Sequence, residues 1–397
     1  GTPGIQSGEL VNETASVWFV ELKSKPAVEG TGKNTLAKEK KAFRAAARGA
    51  KIKFKERYAF DTLWNGLSIE IDPADLGKLN RIPGVAAIYP VATIPAPEPV
   101  AGTTPDLFTA IQMTGADIAQ SELGLTGYGI KVAVMDTGID YDHPDLGGCF
   151  GPGCRVAYGY DLVGDDYIGP SGPDPVPDPD PDDCQGHGTH VSGIVGASGT
   201  VTGVAPGVTF GAYRVFGCTG STSADVMIAA MEMALADDMD ILNMSIGSAF
   251  QWPQYPTAVA ADRLVNKGMV VVASIGNSGA YGTYAAGAPG LGKKVIGTAS
   301  FDNSHALSSY FEVDGEKIGY NGMSYAAPAP TSGTEEIVYV GEGCNGDLFE
   351  GDPNGKVALM MRGNCSFREK ALNAQSAGAT AAVIHNNAEG NFNGTLG

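Results

Sequence analysis

No apolar stretch of this chain approaches the roughly 20 residues that a membrane-spanning helix needs, so membrane insertion is not expected. Basic residues are scarce. The 26 Lys and Arg stand against 44 Asp and Glu, and the net charge of −18 argues against nucleic acid and anionic membrane surfaces as partners. Zinc-ligand patterns are also missing: the six cysteines include no CxxC pair and no histidine at zinc-ligand spacing, which disfavours a metal cluster. No signal peptide is visible, since Gly1 opens a polar, glycine-rich stretch; a signal is expected to have been removed or never included.

What the chain does have is length and an even cysteine count. Its 397 residues suffice for two or three domains with sizeable cores. Cys149, Cys154, Cys184, Cys218, Cys344 and Cys365 suggest two or three disulfides and an oxidising compartment, with buried free thiols as the plainer alternative. Charge is unevenly spread. Residues 1–100 hold 14 Lys and Arg against 11 Asp and Glu, which leaves the remainder at about −21. A basic front segment followed by an acidic body suggests two parts that attract each other.

Residues 16–91 alternate between strand and helix signals. Strands are expected at Ser16–Leu22, Lys51–Tyr58, Gly66–Ile71 and Val85–Val91. A helix is expected from an Asn34 N-cap to Arg48, and Asp72-Pro73 opens a second, short one. That β-α-β-β-α-β order is the ferredoxin-like arrangement. Residues 1–15 read as disordered or linker, and 92–109 as an exposed linker rich in Pro, Ala and Thr. From Ile130 the pattern becomes apolar strand, glycine-rich turn, then helix. Strands are expected at Lys131–Met135, Thr209–Val215, Ile241–Met244 and Met269–Ser274, and helices starting near His187, Ser223 and Tyr255. This alternation implies an α/β fold with a parallel sheet covered on both faces and functional groups at the strands' carboxyl ends. Beyond about Phe311 short strands return, with one helix at about Ser366–Ala377, suggesting a separate β-rich module over 311–397.

Three stretches carry chemistry. In Val132-Ala-Val-Met-Asp136-Thr-Gly138 a buried strand delivers an acid at its carboxyl end. In Gly186-His187-Gly188-Thr-His190 a histidine opens a helix between glycines, where the helix dipole favours the neutral imidazole that a general base requires. His190 reads as a packed structural histidine. In Val270-Val-Val-Ala-Ser-Ile-Gly276-Asn277 a strand ends in an amide able to donate to a developing oxyanion. Each stretch alone has an ordinary explanation as a turn or cap.

Together, in the order Asp, His, Asn, they resemble the subtilisin-like serine peptidases. The resemblance implies a subtilisin-like fold over 110–310 in which Asp136 orients His187, His187 acts as base toward a serine, and Asn277 completes the oxyanion hole. Ser245, Ile246 and Gly247 would form one wall of the substrate cleft, and Ser274 and Gly276 the other; neither wall carries charge, so broad or apolar specificity is expected. Residues 16–91 resemble the family's inhibitory propeptide, its tail lying in the cleft. Gly343-Cys344-Asn-Gly-Asp347 and the stretch from Lys356 through Cys365 resemble a protease-associated domain, incomplete here, that some large members insert between the oxyanion Asn and the Ser. The implied protein is a secreted zymogen acting on protein or peptide substrates and requiring no cofactor, with a structural calcium as an option. Cys344–Cys365 and Cys149–Cys154 are the pairings expected.

Two features depart from the family pattern. Gly322-Met323-Ser324-Tyr325-Ala326-Ala327-Pro328 imitates the nucleophile segment, but it follows Asn277 too closely, the downstream prolines forbid a helix, and a strand signal precedes it. The serine is therefore expected beyond residue 397, leaving these residues without peptidase activity of their own; a catalytically inactive binding relative is the competing reading. The family's usual calcium site uses an acid matching Asp145 and a loop following the histidine helix. Here that stretch, Val195–Gly203, is short and lacks acidic or Asn ligands. The Asp-rich loop 174–183 offers hard oxygens to calcium, but a solvated acidic loop stiffened by prolines is the favoured reading.

Overall fold

The computed structural model describes residues 15–97, 107–301, 308–323, 325–388, 392 and 394–396. Nearly all of the expected leading segment, Ser324 and the later part of the linker lie outside them.

Residues 17–90 form a four-stranded antiparallel sheet from β1 (Val17–Leu22), β2 (Phe54–Phe60), β3 (Gly66–Ile71) and β4 (Val85–Pro90), in the order β2-β3-β1-β4. Helices α1 (Lys33–Gly49) and α2 (Leu76–Leu79) make the crossovers, which gives the ferredoxin-like order expected. On α1, Leu36, Lys40, Phe43 and Ala47 recur at helical spacing and are the buried residues. Asn34 is not the N-cap: the helix begins at Lys33 behind Gly32, so Asn34 lies inside its first turn. Asp72 does cap, accepting from the Ala74 amide at 2.9 Å.

The body follows a short strand, β5 (Thr93–Pro95), and two helices, α3 (Phe108–Thr114) and α4 (Ala116–Ser121). Its core is a six-stranded parallel sheet of β6 (Lys131–Asp136), β7 (Val156–Asp161), β8 (Thr209–Arg214), β10 (Ile241–Met244), β11 (Val270–Ser274) and β12 (Ile296–Thr298). The order is β12-β11-β10-β6-β8-β7. Around it run α5 (His187–Gly196), the short strand β9 (Ser221–Ser223), α6 (Ala224–Ala236) and α7 (Pro256–Asn266). Strand order reverses beside β6, with β8 on one side and β10 on the other, so the carboxyl end of β6 opens into the crevice where α/β sheets bind ligands. Helix α6 buries eight of its thirteen residues because it is covered twice, by the sheet and by the front domain.

The chain divides into two compact units after His305, slightly ahead of the expected boundary. The second unit carries a hairpin, β13 (Ser309–Val313) with β14 (Glu316–Tyr320), and a parallel three-stranded sheet of β15 (Ile337–Tyr339), β16 (Val357–Met361) and β17 (Ala381–His385). Helix α8 (Phe367–Ser376) crosses from β16 to β17 behind a Ser366 cap on the Glu369 amide. Its small core is Val340, Ala358, Met360 and Ala374. The cysteines pair as Cys149–Cys154, Cys184–Cys218 and Cys344–Cys365. The first and third match expectation; the second had no expected partner.

Candidate active site

Asp136 is the last residue of β6 and His187 the first of α5. They meet across the crevice, with His187 Nδ1 2.7 Å from Asp136 Oδ1. The glycines explain the approach: a Cβ at Gly188 would stand 2.1 Å from the Gly138 carbonyl oxygen, and Gly138 itself has φ +114°. Around the pair the two turns are tied together. Gly188 N–H donates to Thr137 Oγ1 at 2.8 Å, Asp140 N–H to Thr189 Oγ1 at 2.9 Å, and Ile139 N–H to the Pro181 carbonyl at 3.1 Å.

Asp136 is fully buried, and burial pushes its pKa up against the pull of the His187 hydrogen bond and charge. Its Oδ2 has no hydrogen-bond partner among the described residues. For His187, burial acts to lower the pKa, but the Asp136 hydrogen bond and the charges of Asp136 and Asp183 outweigh it, and the net shift is upward. The net direction is opposite to the neutrality expected from the position at a helix N-terminus. Nearby Asp183 accepts from the amides of Gln185, Gly186 and Thr189 and from Thr189 Oγ1, at 2.6 to 3.0 Å. These bonds hold its carboxyl below the ordinary value in spite of burial. His190, expected to be packed, is exposed at the surface of α5.

Asn277 follows β11 on the exposed turn Gly276-Asn277, at the same carboxyl edge of the sheet as Asp136. Gly276 has φ +100°, which lets the strand turn out into the crevice. Ser245, Ile246 and Gly247 continue directly from β10; Ile246 is buried and Ser245 Oγ accepts from Asn243 Nδ2 at 3.1 Å. Ser274 closes β11.

The front domain docks on the body and directs its tail toward this crevice. Phe19, Phe60, Leu63 and Trp64 share one hydrophobic cluster with Tyr255, Met227 and Met231 of the body. Arg57 and Asp225 pair at 2.8 Å with both side chains buried, and Glu232 Oε1 accepts the amides of Thr62 and Leu63. Arg263 reaches Glu29 and the Leu63 carbonyl. Beyond β4, Tyr255 Oη bridges the Pro90 carbonyl and the Ala92 amide. Strand β5 then pairs antiparallel with β9, Ile94 opposite Thr222, and the Ala96 amide donates to the Gly220 carbonyl at 3.0 Å. Pro97 O finally accepts from Gln185 Nε2 at 2.5 Å, two residues before His187.

Several of these parts were not singled out in the sequence. Strand β9 has no apolar pattern and exists through its pairing with β5. Gln185 resembles a plain loop residue, and Asp183 reads only as the last acid of the Asp-rich loop, although an acid just ahead of a helix is a recognisable capping signal. Cys184–Cys218 fastens the loop before His187 to the turn before β9, and the Arg214 guanidinium lies against it, 3.1 Å from Cys184 Sγ and 2.7 Å from Asp165. The Asp-rich loop uses its carboxylates internally or on neighbours: Asp174 pairs with Lys55, Asp178 accepts the Asp180 amide, and Asp180 accepts from Tyr141 Oη.

Comparison with known proteins gives the family of the chain. The chain is 34% identical over 399 residues to the minor extracellular protease Vpr of Bacillus subtilis, covering 96% of this chain and 48% of that protein. It is 28% identical over 385 residues to the PII-type proteinase of Lacticaseibacillus paracasei, covering 81% and 19% respectively. It thus spans about half the length of the first and a fifth of the second. The epidermin leader peptide processing serine protease of Staphylococcus aureus shares the fold, with a TM-score of 0.54 at 21% identity over 74% of this chain and 71% of that one. The model of the subtilase family matches residues 127–395, and with the relatives it settles the assignment: the chain belongs to the subtilase family.

Proposed function

We propose that this chain is the front part of a secreted serine endopeptidase, made as a zymogen, that hydrolyses peptide bonds in protein or peptide substrates. The observation that carries the reading is the 2.7 Å contact of His187 Nδ1 with the buried Asp136 at the carboxyl end of the central strand. Asp136 holds the imidazole with its proton on Nδ1, leaving Nε2 to take the hydroxyl proton as a serine oxygen attacks the scissile carbonyl carbon. The same nitrogen then returns the proton to the leaving amine. The Asn277 amide donates to the oxyanion, an effect worth about 3–4 kcal/mol in acyl transfer. The nucleophilic serine is assigned outside residues 1–397.

Uncharged Ser245, Ile246, Gly247, Ser274 and Gly276 line the cleft in this reading and favour apolar side chains on an extended substrate. Residues 16–91 act as intramolecular inhibitor, with cleavage in the linker after β5; the antiparallel pairing of Thr93–Pro95 with Ser221–Ser223 supports this. Residues 311–397 are the start of an inserted protease-associated domain. Extracellular action accords with the three disulfides and with the name of the Vpr relative, a minor extracellular protease. Among the described residues no helix is long and apolar enough to cross a membrane.

Labelling with a fluorophosphonate probe tests the reading. Residues 1–397 alone should not label, whereas a longer form freed of its front domain should, and His187→Ala should abolish that labelling. Labelling of residues 1–397 that disappears in Ser324→Ala would move the nucleophile to Ser324. No labelling of any form would favour the inactive binding relative.

A further inference from the structure

The family resemblance implies a structural calcium held by an acid matching Asp145. The surroundings of Asp145 do not fit a metal. Its Oδ1 accepts the Thr200 amide at 3.0 Å and its Oδ2 the Val201 amide at 2.9 Å. Both carboxylate oxygens therefore face N–H donors, which have no lone pair to offer a cation, whereas calcium requires six to eight oxygens. The loop closes too tightly for an ion beside the carboxylate, since even a Cβ on Gly199 would stand 2.0 Å from Oδ1. Ser198 and Thr202 pair across this turn, and the Ser198 amide donates to the Asp145 carbonyl at 2.9 Å.

A cation is nevertheless built in. The Arg155 guanidinium donates from Nη1 to the Asp145 carbonyl at 3.1 Å, from Nε to the Val208 carbonyl at 3.2 Å, and from Nη2 to the Gly196 carbonyl. Gly196 is the last residue of α5, where carbonyls are unpaired and the helix dipole is negative. The planar group lies over the Phe210 ring, 5.3 Å from its centroid. One side chain thus ties together the Asp145 turn, the end of the His187 helix and the start of β8.

We infer that Arg155 is the fixed internal cation of this region, replacing a divalent ion, and that the Asp145 site of this subtilase binds no calcium. The chain anchors the far end of the His187 helix with its own guanidinium, so this anchor withstands chelation. Arg suits the task because its five donors are rigidly forked and its charge is permanent.

The test is thermal unfolding followed by circular dichroism, on the full chain and on D145N, R155K and R155M, each in excess chelator and in millimolar calcium. Calcium should shift the midpoint of wild type and D145N equally, whether by zero or through sites elsewhere. R155M should unfold roughly 4–10 °C lower than wild type in both buffers, as expected for losing several hydrogen bonds to a charged group. R155K should fall between them. Two results overturn the inference: a calcium-induced rise in wild type that D145N abolishes, or an R155M midpoint equal to that of wild type. Should R155M fail to fold, the comparison of wild type with D145N decides alone.

Discussion

Burial and charge pull the His187 imidazole in opposite directions, and charge wins. Burial penalises the imidazolium, while Asp136 at 2.7 Å and the Asp183 carboxylate favour it. A base acts only when unprotonated, so kcat/KM of the processed enzyme should rise with pH through a midpoint above the ordinary imidazole value of about 6.5. Asp183→Asn keeps an acceptor for the helix amides but removes one negative charge, and should move that acid limb to lower pH. An unmoved limb would show that His187 does not sense Asp183. Asp136→Asn should cost about 10⁴-fold in kcat, because an amide no longer fixes the reactive tautomer. Asp136 and His187 are legible in the sequence, each lying where a strand or helix signal meets glycines. Arg155 is not, because its partners Asp145, Gly196 and Val208 are brought together only by the fold.

Among elements, those fixed by local chemistry are read best. Strand β10 is a short apolar run between Asp240 and Gly247, and the sequence gives its limits directly. Helices α6 and α7 start behind Ser223 and Tyr255 as expected, α7 with proline at its first position. Edge strand β7, Val-Ala-Tyr-Gly-Tyr-Asp, escapes notice because its apolar run is broken by glycine and it depends on β8 for pairing. The link between the His187 loop and β9 is likewise tertiary, through a disulfide spanning 34 residues. Replacing Cys184 and Cys218 with serine should destabilise the body by roughly 3–4 kcal/mol through loop entropy, measured by denaturant unfolding. A change below about 1 kcal/mol would mean that the other contacts of the loop suffice.

At the scale of the whole molecule, the uneven charge is only part of how the front domain and body fit. Arg57–Asp225 and Lys55–Asp174 follow the expected signs, but Arg263–Glu29 reverses them, and a shared apolar cluster around Trp64 and Tyr255 joins the two parts as well. Removing one partner of a buried ion pair leaves an uncompensated charge at a cost of about 3–5 kcal/mol. Arg57→Met should therefore weaken inhibition by the separate front domain at least about 100-fold in Ki against the processed enzyme. An unchanged Ki would show that the pair forms without contributing to docking.

The most direct measurement of the central claim is hydrolysis of an unfolded protein substrate by a longer form of the protein that carries the proposed serine, before and after removal of residues 1–97, with the same form carrying His187→Ala alongside. The account predicts that activity appears on removal of the front domain, returns to near background when that domain is added back, and is absent from H187A. Equal hydrolysis by H187A would contradict the assignment of the base, and no hydrolysis by the fully processed protein would make this subtilase a binding protein.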